Sequence, residues 1–179
     1  MPTNLLKKYS DLLEILHLSE TKRNESLRGI FNRDIQENPG LNFQKKLIRP
    51  FKDKDGIASM DTLFNHLTKE EIIEKEDGKE IKKRIFEKDR SQRLHWVKYH
   101  LEEKKKEGIE IFSVVERDTE KRKDIIVTYI YDVPEKYIIV LRPQSTFNDY
   151  YLLTAHYLNR EYGEKTMKKK LKKRLATVH

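Results

Sequence analysis

The most constraining feature of the chain is a change of hydrophobic period near Ile109. From there to Leu158 the apolar residues fall into four short runs: Ile109 to Glu116, Ile125 to Tyr131, Tyr137 to Leu141 and Tyr150 to Leu158. The runs are rich in Ile, Val, Tyr and Thr, side chains that suit a pleated, half-buried surface. Turn-forming stretches separate them: Asp118 to Lys123, Val133-Pro134-Glu135 and Pro143 to Asn148. A four-stranded antiparallel sheet is predicted, with the continuously apolar third run as a central strand.

The chain ahead of the sheet reads as helical. Leu5, Tyr9, Leu12, Leu13 and Leu16 form one stripe at three- and four-residue spacing, and Leu27, Ile30, Phe31 and Ile35 form a second that Asn38-Pro39-Gly40 stops. Residues 41 to 58 read as irregular, because Pro50 and Asp55-Gly56 interrupt any long element. Ser59 is placed to cap a short helix bearing Met60, Leu63, Phe64 and Leu67. Thr68-Lys69-Glu70-Glu71 has the form of a capping box for another, carrying Ile72 and Ile73, and residues 74 to 80 read as a charged surface loop. The strongest helical signal runs from Arg90 to Glu107, with Leu94, Val97 and Leu101 on one face and Gly108 as its stop. The expected architecture is α+β: a helical N-terminal half (1–80), a long helix with a four-stranded antiparallel sheet (81–160), and a basic C-terminal helix (161–179).

The net charge is +8, which favours a polyanion as partner, although a chain so rich in both signs of charge is also simply well solvated. Cysteine is absent, which excludes disulfides and thiolate metal sites and fits a reducing compartment. No apolar run approaches the ~20 residues that span a bilayer. The first residues, Met1-Pro2-Thr3-Asn4-Leu5, lack the basic and apolar regions of a signal peptide. A cytoplasmic protein with no membrane association is expected.

Strand alternation sorts the sheet's residues into two faces. With simple hairpins Asp132 pairs with Lys136, and Arg142 roughly with Tyr150. One face then carries Tyr129, Tyr131, Tyr137, Ile139, Leu141, Tyr151, Leu153, Ala155 and Tyr157, and packs on the long helix. The other carries Thr128, Ile130, Ile138, Val140, Arg142, Leu152, Thr154 and His156, and stays partly open. His156 is a candidate acid or base, Thr154 an orienting hydroxyl and Arg142 a phosphate-binding fork. Each has a plainer reading, as a hydrogen-bonded sheet histidine or a strand-end arginine. In this register Arg142 and His156 lie roughly 20 Å apart along the hairpin. Arg93 and His95 flank Trp96 on the long helix and line either a cleft or an exposed helix face. No metal site or cofactor is expected: His95 and His100 are poorly spaced for chelation from a helix, and glycine-rich phosphate loops are missing. Lys168, Lys169, Lys172, Lys173 and Arg174 coat the last helix as a polyanion-binding surface, or as a solvated one.

The order of these motifs resembles a known family. A helix bearing Arg90-Ser-Gln-Arg93-Leu-His-Trp96 precedes a strand ending near Tyr131-Asp132, followed by Tyr137-Ile-Ile-Val-Leu-Arg142 and Tyr150-Tyr-Leu-Leu-Thr-Ala-His156-Tyr. Over residues 85 to 160 this is similar to the phage- and prophage-associated members of the ribonuclease superfamily that groups barnase, EndoU, colicin-type tRNases and RelE-like toxins. The resemblance implies a metal-independent RNA endonuclease of toxin or phage type, in which the ribose 2′-hydroxyl attacks the adjacent phosphate. Arg93, Arg142, Thr154 and His156 match the motif positions, although members more often carry tyrosine at the place of His156. The implied partners are RNA, such as tRNA or mRNA, and an antitoxin or immunity protein. The alternative is a non-catalytic RNA- or DNA-binding module that uses the same basic surface.

Overall fold

A computed structural model describes residues 3–51, 59–144 and 148–179. Asp55-Gly56 and the middle of the expected Pro143 to Asn148 loop lie outside the described residues. After a 3-10 turn at Thr3–Leu6, the chain forms α1 (Glu20–Phe31), which a short π-helical turn at Asn32–Gln36 prolongs. Then come β1 (Asn42–Phe43), β2 (Lys46–Pro50), α2 (Ser59–Thr68), β3 (Lys69–Glu76), β4 (Lys79–Phe86), α3 (Lys88–Ser91) and α4 (Trp96–Leu101). The last third holds β5 (Ile109–Asp118), β6 (Lys123–Asp132), β7 (Tyr137–Gln144), β8 (Asp149–Tyr157) and α5 (Glu161–Lys172).

The protein is α+β, but the expected helical half and four-stranded sheet are both corrected. The main sheet has six strands in the order β1-β2-β8-β7-β6-β5, and it is mixed because β2 runs parallel to β8. Residues 41 to 50, expected to be irregular, supply two of those strands. A further antiparallel ribbon, β3–β4, replaces the short helix and charged loop expected at 69–80. Glu and Lys favour helices intrinsically, which hid this ribbon. Its ladder sets the acidic β3 against the basic β4, so that Lys83 reaches both Glu74 and Glu76. The long helix is also corrected. It breaks into α3 and α4 at a turn where the Trp96 amide donates to the Arg93 carbonyl, and it ends at Leu101 with Glu103 at positive φ. The first stripe forms only the 3-10 turn, although Leu13 still reaches the core.

The strand register departs from simple hairpins in two places. Asp132 pairs with Tyr137 rather than Lys136, because a four-residue turn with Lys136 at positive φ joins β6 to β7. A one-residue slip sends a whole strand's side chains to the opposite face. A bulge then interrupts the pairing of β7 with β8, since Val140 opposes Thr154 while Leu141 opposes Leu152. Leu153 is the extra residue, and its carbonyl lies 3.2 Å from His66 Nδ1. The face assignment is corrected accordingly. Ile130, Tyr137, Ile139, Leu141, Leu152 and Ala155 share one face, in the core formed with Leu27, Ile30, Phe31, Leu63, Phe64 and Trp96. Phe112, Val114, Val127, Tyr129, Tyr131, Ile138 and Val140 share the other, under Met167 of α5.

Among the described residues no helix is long and apolar enough to cross a membrane.

Candidate active site

The second face is only partly covered, and the gap is a cleft of about 310 Å³. The ends of β7 and β8 form its floor with Ile138, Val140 and His156, α5 forms one wall, and Glu70 of β3 with Glu87 and Arg90 forms the other. Local sequence explains how these elements meet. Gly163 lets α5 close down on the strand end, where an added Cβ would come within 3.2 Å of Leu158 Cβ. Only Met167 of α5 is buried, so the helix touches the sheet along a narrow seam. Glu87 caps α3, its two carboxylate oxygens each accepting a backbone N–H, from Asp89 and Arg90, at 2.9 Å.

Arg90 is the fixed cation of the cleft. Its Nη1 donates to the carbonyls of His66 and Lys69, both at 2.7 Å, and lies 3.5 Å from Thr154 Oγ1. Its Nε is buried without a hydrogen-bond partner. Burial draws the guanidinium below its ordinary value, against the opposing charges of Glu87 and Glu70. His156 sits on the same floor, and its Nδ1 is likewise buried and unpartnered. A ligand therefore reaches the ring from its Nε2 edge. Burial, reinforced by the Arg90 charge, lowers the imidazole to about 4, so that it is neutral and able to accept a proton at physiological pH. Tyr129 and Lys170 close the far side. Lys170 donates to Tyr129 at 2.8 Å and to Glu116, and burial pushes the Tyr129 phenol up so that it stays protonated. Tyr162, 63% exposed, stands at the mouth beside Arg160.

The residues singled out from sequence fall into four places. His156 lines the cleft, and Thr154 stands behind it, bonded to the His66 carbonyl at 3.0 Å and to Arg90. Arg142 shares their face but lies four residues along β7 from Ile138, the partner of His156, or roughly 14 Å away. There it sits 5.9 Å from the Phe51 ring. Arg93 is clamped between Trp96 and Tyr157, 5.2 and 4.1 Å from their ring centroids. His95 lies beneath a different cavity on the side of α4. Lys168, Lys169, Lys172, Lys173 and Arg174 are all exposed, and among the described residues none of them forms an ion pair. Sequence reasoning named Arg90 as part of the helix motif, without a role, and it missed Glu70, Glu87, Tyr129, Tyr162 and Lys170. The capping position of Glu87 was the one local signal. The others converge only through the fold.

A second polar cluster lies on the other face of the sheet, where β6 ends at Asp132. His100 Nε2 meets Asp132 Oδ2 at 2.8 Å, and Lys105 Nζ meets Oδ1 at 2.9 Å. Tyr9 donates to the same carboxylate at 2.8 Å. Burial pushes the Asp132 carboxyl up, but the bonds from His100, Lys105 and Tyr9 outweigh it and hold the group at about 2. Asp132 and His100 are sealed, so this cluster braces the turn between β6 and β7. Among the described residues no three His, Asp or Glu side chains converge as metal ligands would.

Comparison with protein-family models, with curated proteins and with solved structures gave no match for this chain.

Proposed function

We propose that the chain is a metal-independent RNA endonuclease whose reaction centre is the cleft between β8 and α5. The observation that carries this reading is that a neutral imidazole, His156, and a partly unsatisfied guanidinium, Arg90, line one open cleft. His156 takes the proton of a ribose 2′-hydroxyl, the 2′-oxygen bonds to the adjacent phosphorus, and the bond from phosphorus to the 5′-oxygen breaks. The proton on His156 passes to that leaving oxygen. The products are a 2′,3′-cyclic phosphate and a free 5′-hydroxyl. Arg90 and Lys170 offset the negative charge that builds on the phosphorane oxygens. Thr154 orients Arg90. Tyr162 offers a ring on which an unpaired base stacks, and the exposed cations of α5 hold the flanking phosphates.

The test is cleavage of unstructured RNA in the presence of a chelator. Cyclic-phosphate ends are expected, the DNA analogue should stay intact because it lacks the nucleophile, and His156→Ala should slow the reaction by roughly 10²–10⁴-fold. kcat/KM should rise with pH through an inflection near 4, where His156 loses its proton. Equal cleavage by wild type and His156→Ala, in a variant that melts cooperatively, would refute the assignment.

A second reading rests on the exposed cations of the C-terminal helix alone: a module that grips RNA or DNA without cutting it. It predicts equal affinity for RNA and DNA, steep salt dependence and no new ends.

A further inference from the structure

A second cavity, on the far side of α4 from the cleft, has no part in that chemistry. It encloses about 370 Å³ between the N-terminal segment and α4. Five cations line it, Lys7, Lys8, Arg33, Lys98 and Lys104, against the two carboxylates of Asp34 and Glu102. Two of the cations are committed elsewhere, since Lys7 meets Glu14 at 2.7 Å and Arg33 forks onto Asp34. The surplus lies in the others. Lys98 and Lys104 share the single carboxylate of Glu102, and Lys8 is exposed with no ion pair among the described residues.

The wall beside these lysines is aromatic. Tyr9 and Tyr99 stack with centroids 4.5 Å apart and planes 7° apart, and Tyr99 is partly exposed. Trp96 meets Tyr9 edge-on at 4.9 Å from behind. Below them His95 is only 6% exposed. Its Nε2 lies 3.4 Å from the Lys8 carbonyl, an acceptor, so the ring hydrogen sits there, and its Nδ1 has no hydrogen-bond partner. A polar group so deeply buried and unsatisfied costs stability unless something serves it.

We propose that this cavity is a nucleotide-binding site, in which a phosphate sits among Lys8, Lys98 and Lys104 and a base extends the Tyr9–Tyr99 stack. Two features complement two parts of one ligand class: surplus positive charge suits the phosphate, and a flat aromatic slab suits the base. A free nucleotide and a nucleotide within a single strand present the same chemistry.

Trp96 is the sole tryptophan, so its fluorescence reports on the Tyr9–Tyr99 stack directly. The experiment titrates the full chain with inorganic phosphate, adenosine monophosphate and a short oligouridylate. Saturable responses to the two nucleotide probes are expected, with phosphate far weaker. A stronger response to the mononucleotide identifies a free ligand, and a stronger one to the oligomer identifies a strand. Tyr99→Ala should weaken binding about tenfold while Tyr99→Phe retains it. Lys8→Glu, at an exposed position, should weaken binding and flatten its salt dependence. His156→Ala should leave this binding unchanged even where cleavage is lost, so the two sites fail separately. Phosphate binding as well as the nucleotide does, or a Tyr99→Ala variant that melts normally and binds like wild type, would overturn the proposal.

Discussion

The face of the sheet toward α1, α2 and α4 buries Ile130, Ile139 and Leu141 in a continuous apolar core, whereas the opposite face packs on α5 at Met167 and carries a cleft walled on its other side by Glu87 and Arg90. Both faces belong to the same strands, so the contrast comes from what covers them. Three helices and the N-terminal segment carrying Leu13 and Ile15 pack on the first side. On the second, α5 leaves the ends of β7 and β8 open to the cleft, and polar side chains collect there. His156 and Thr154 occupy positions that the first face gives to Ile139, Leu141 and Ala155. A sheet can thus carry a closed apolar side and a side with polar groups at an open cleft without any change of strand, provided its covering is unequal.

Substitutions that probe each side should break or sharpen that contrast. Ile139→Ala, at a fully buried position of the first face, should cost roughly 4 kcal/mol in urea unfolding, against roughly 2 kcal/mol for Met167→Ala, where α5 can settle into the space. Equal costs would mean that the second face is as tightly built as the first. Asp132→Ala should cost about 3 kcal/mol, because it strands the buried His100 and the Lys105 charge without their counter-ion. The loss should appear in the thermal midpoint, and double substitution with Lys105→Met should recover part of it.

Acid should act through the cleft first. The His156 value is lower in the folded protein, about 4, than its ordinary 6.5, so the unfolded chain binds the proton more readily. The stability this provides is complete above about pH 6.5 and is lost as pH falls toward 4, amounting to roughly 3 kcal/mol. His95, lowered in the same direction by burial, adds to the slope. Asp132 is the opposite kind of group and follows at lower pH. Its contribution is present above its ordinary 3.8 and disappears as pH passes through about 2. Unfolding measured across pH should therefore show His156→Gln flattening the limb between 6.5 and 4 while leaving the lower one. The smallest effect belongs to the outer face of α5. Lys168→Gln and Lys172→Gln should each change stability by less than ~0.5 kcal/mol, while reducing retention on a polyanion column at low salt.

The four C-terminal strands were legible because their runs of Ile, Val and Tyr have no competing helical period, and β7 was recognisable as central because both of its faces are apolar. The ribbon of β3 and β4 was not, since its Glu and Lys residues favour a helix in isolation and become a ladder only when the two acidic and basic rows meet. Gln92 to His95 hid a break in the same way: Arg93 turns back to clamp Tyr157, a residue far along the chain. The candidate site was half legible: the shared strand face of His156 and Thr154 could be read from the sequence, but Arg90, Lys170 and Glu70 are separated by long stretches of sequence and share only a place in space. Arg142 remained apart from His156, as its strand position required.

What the sequence determined by itself was local: the positions of the β-forming runs, the basic coat of the last helix, and the absence of cysteine chemistry. Which strand face meets which helix was decided by tertiary structure, through a four-residue turn after Asp132 and a bulge at Leu153. Each shifts the pairing by a single residue, a change too small to alter any local pattern. Because strand side chains alternate, that shift decides which groups are buried in the core and which look into the cleft.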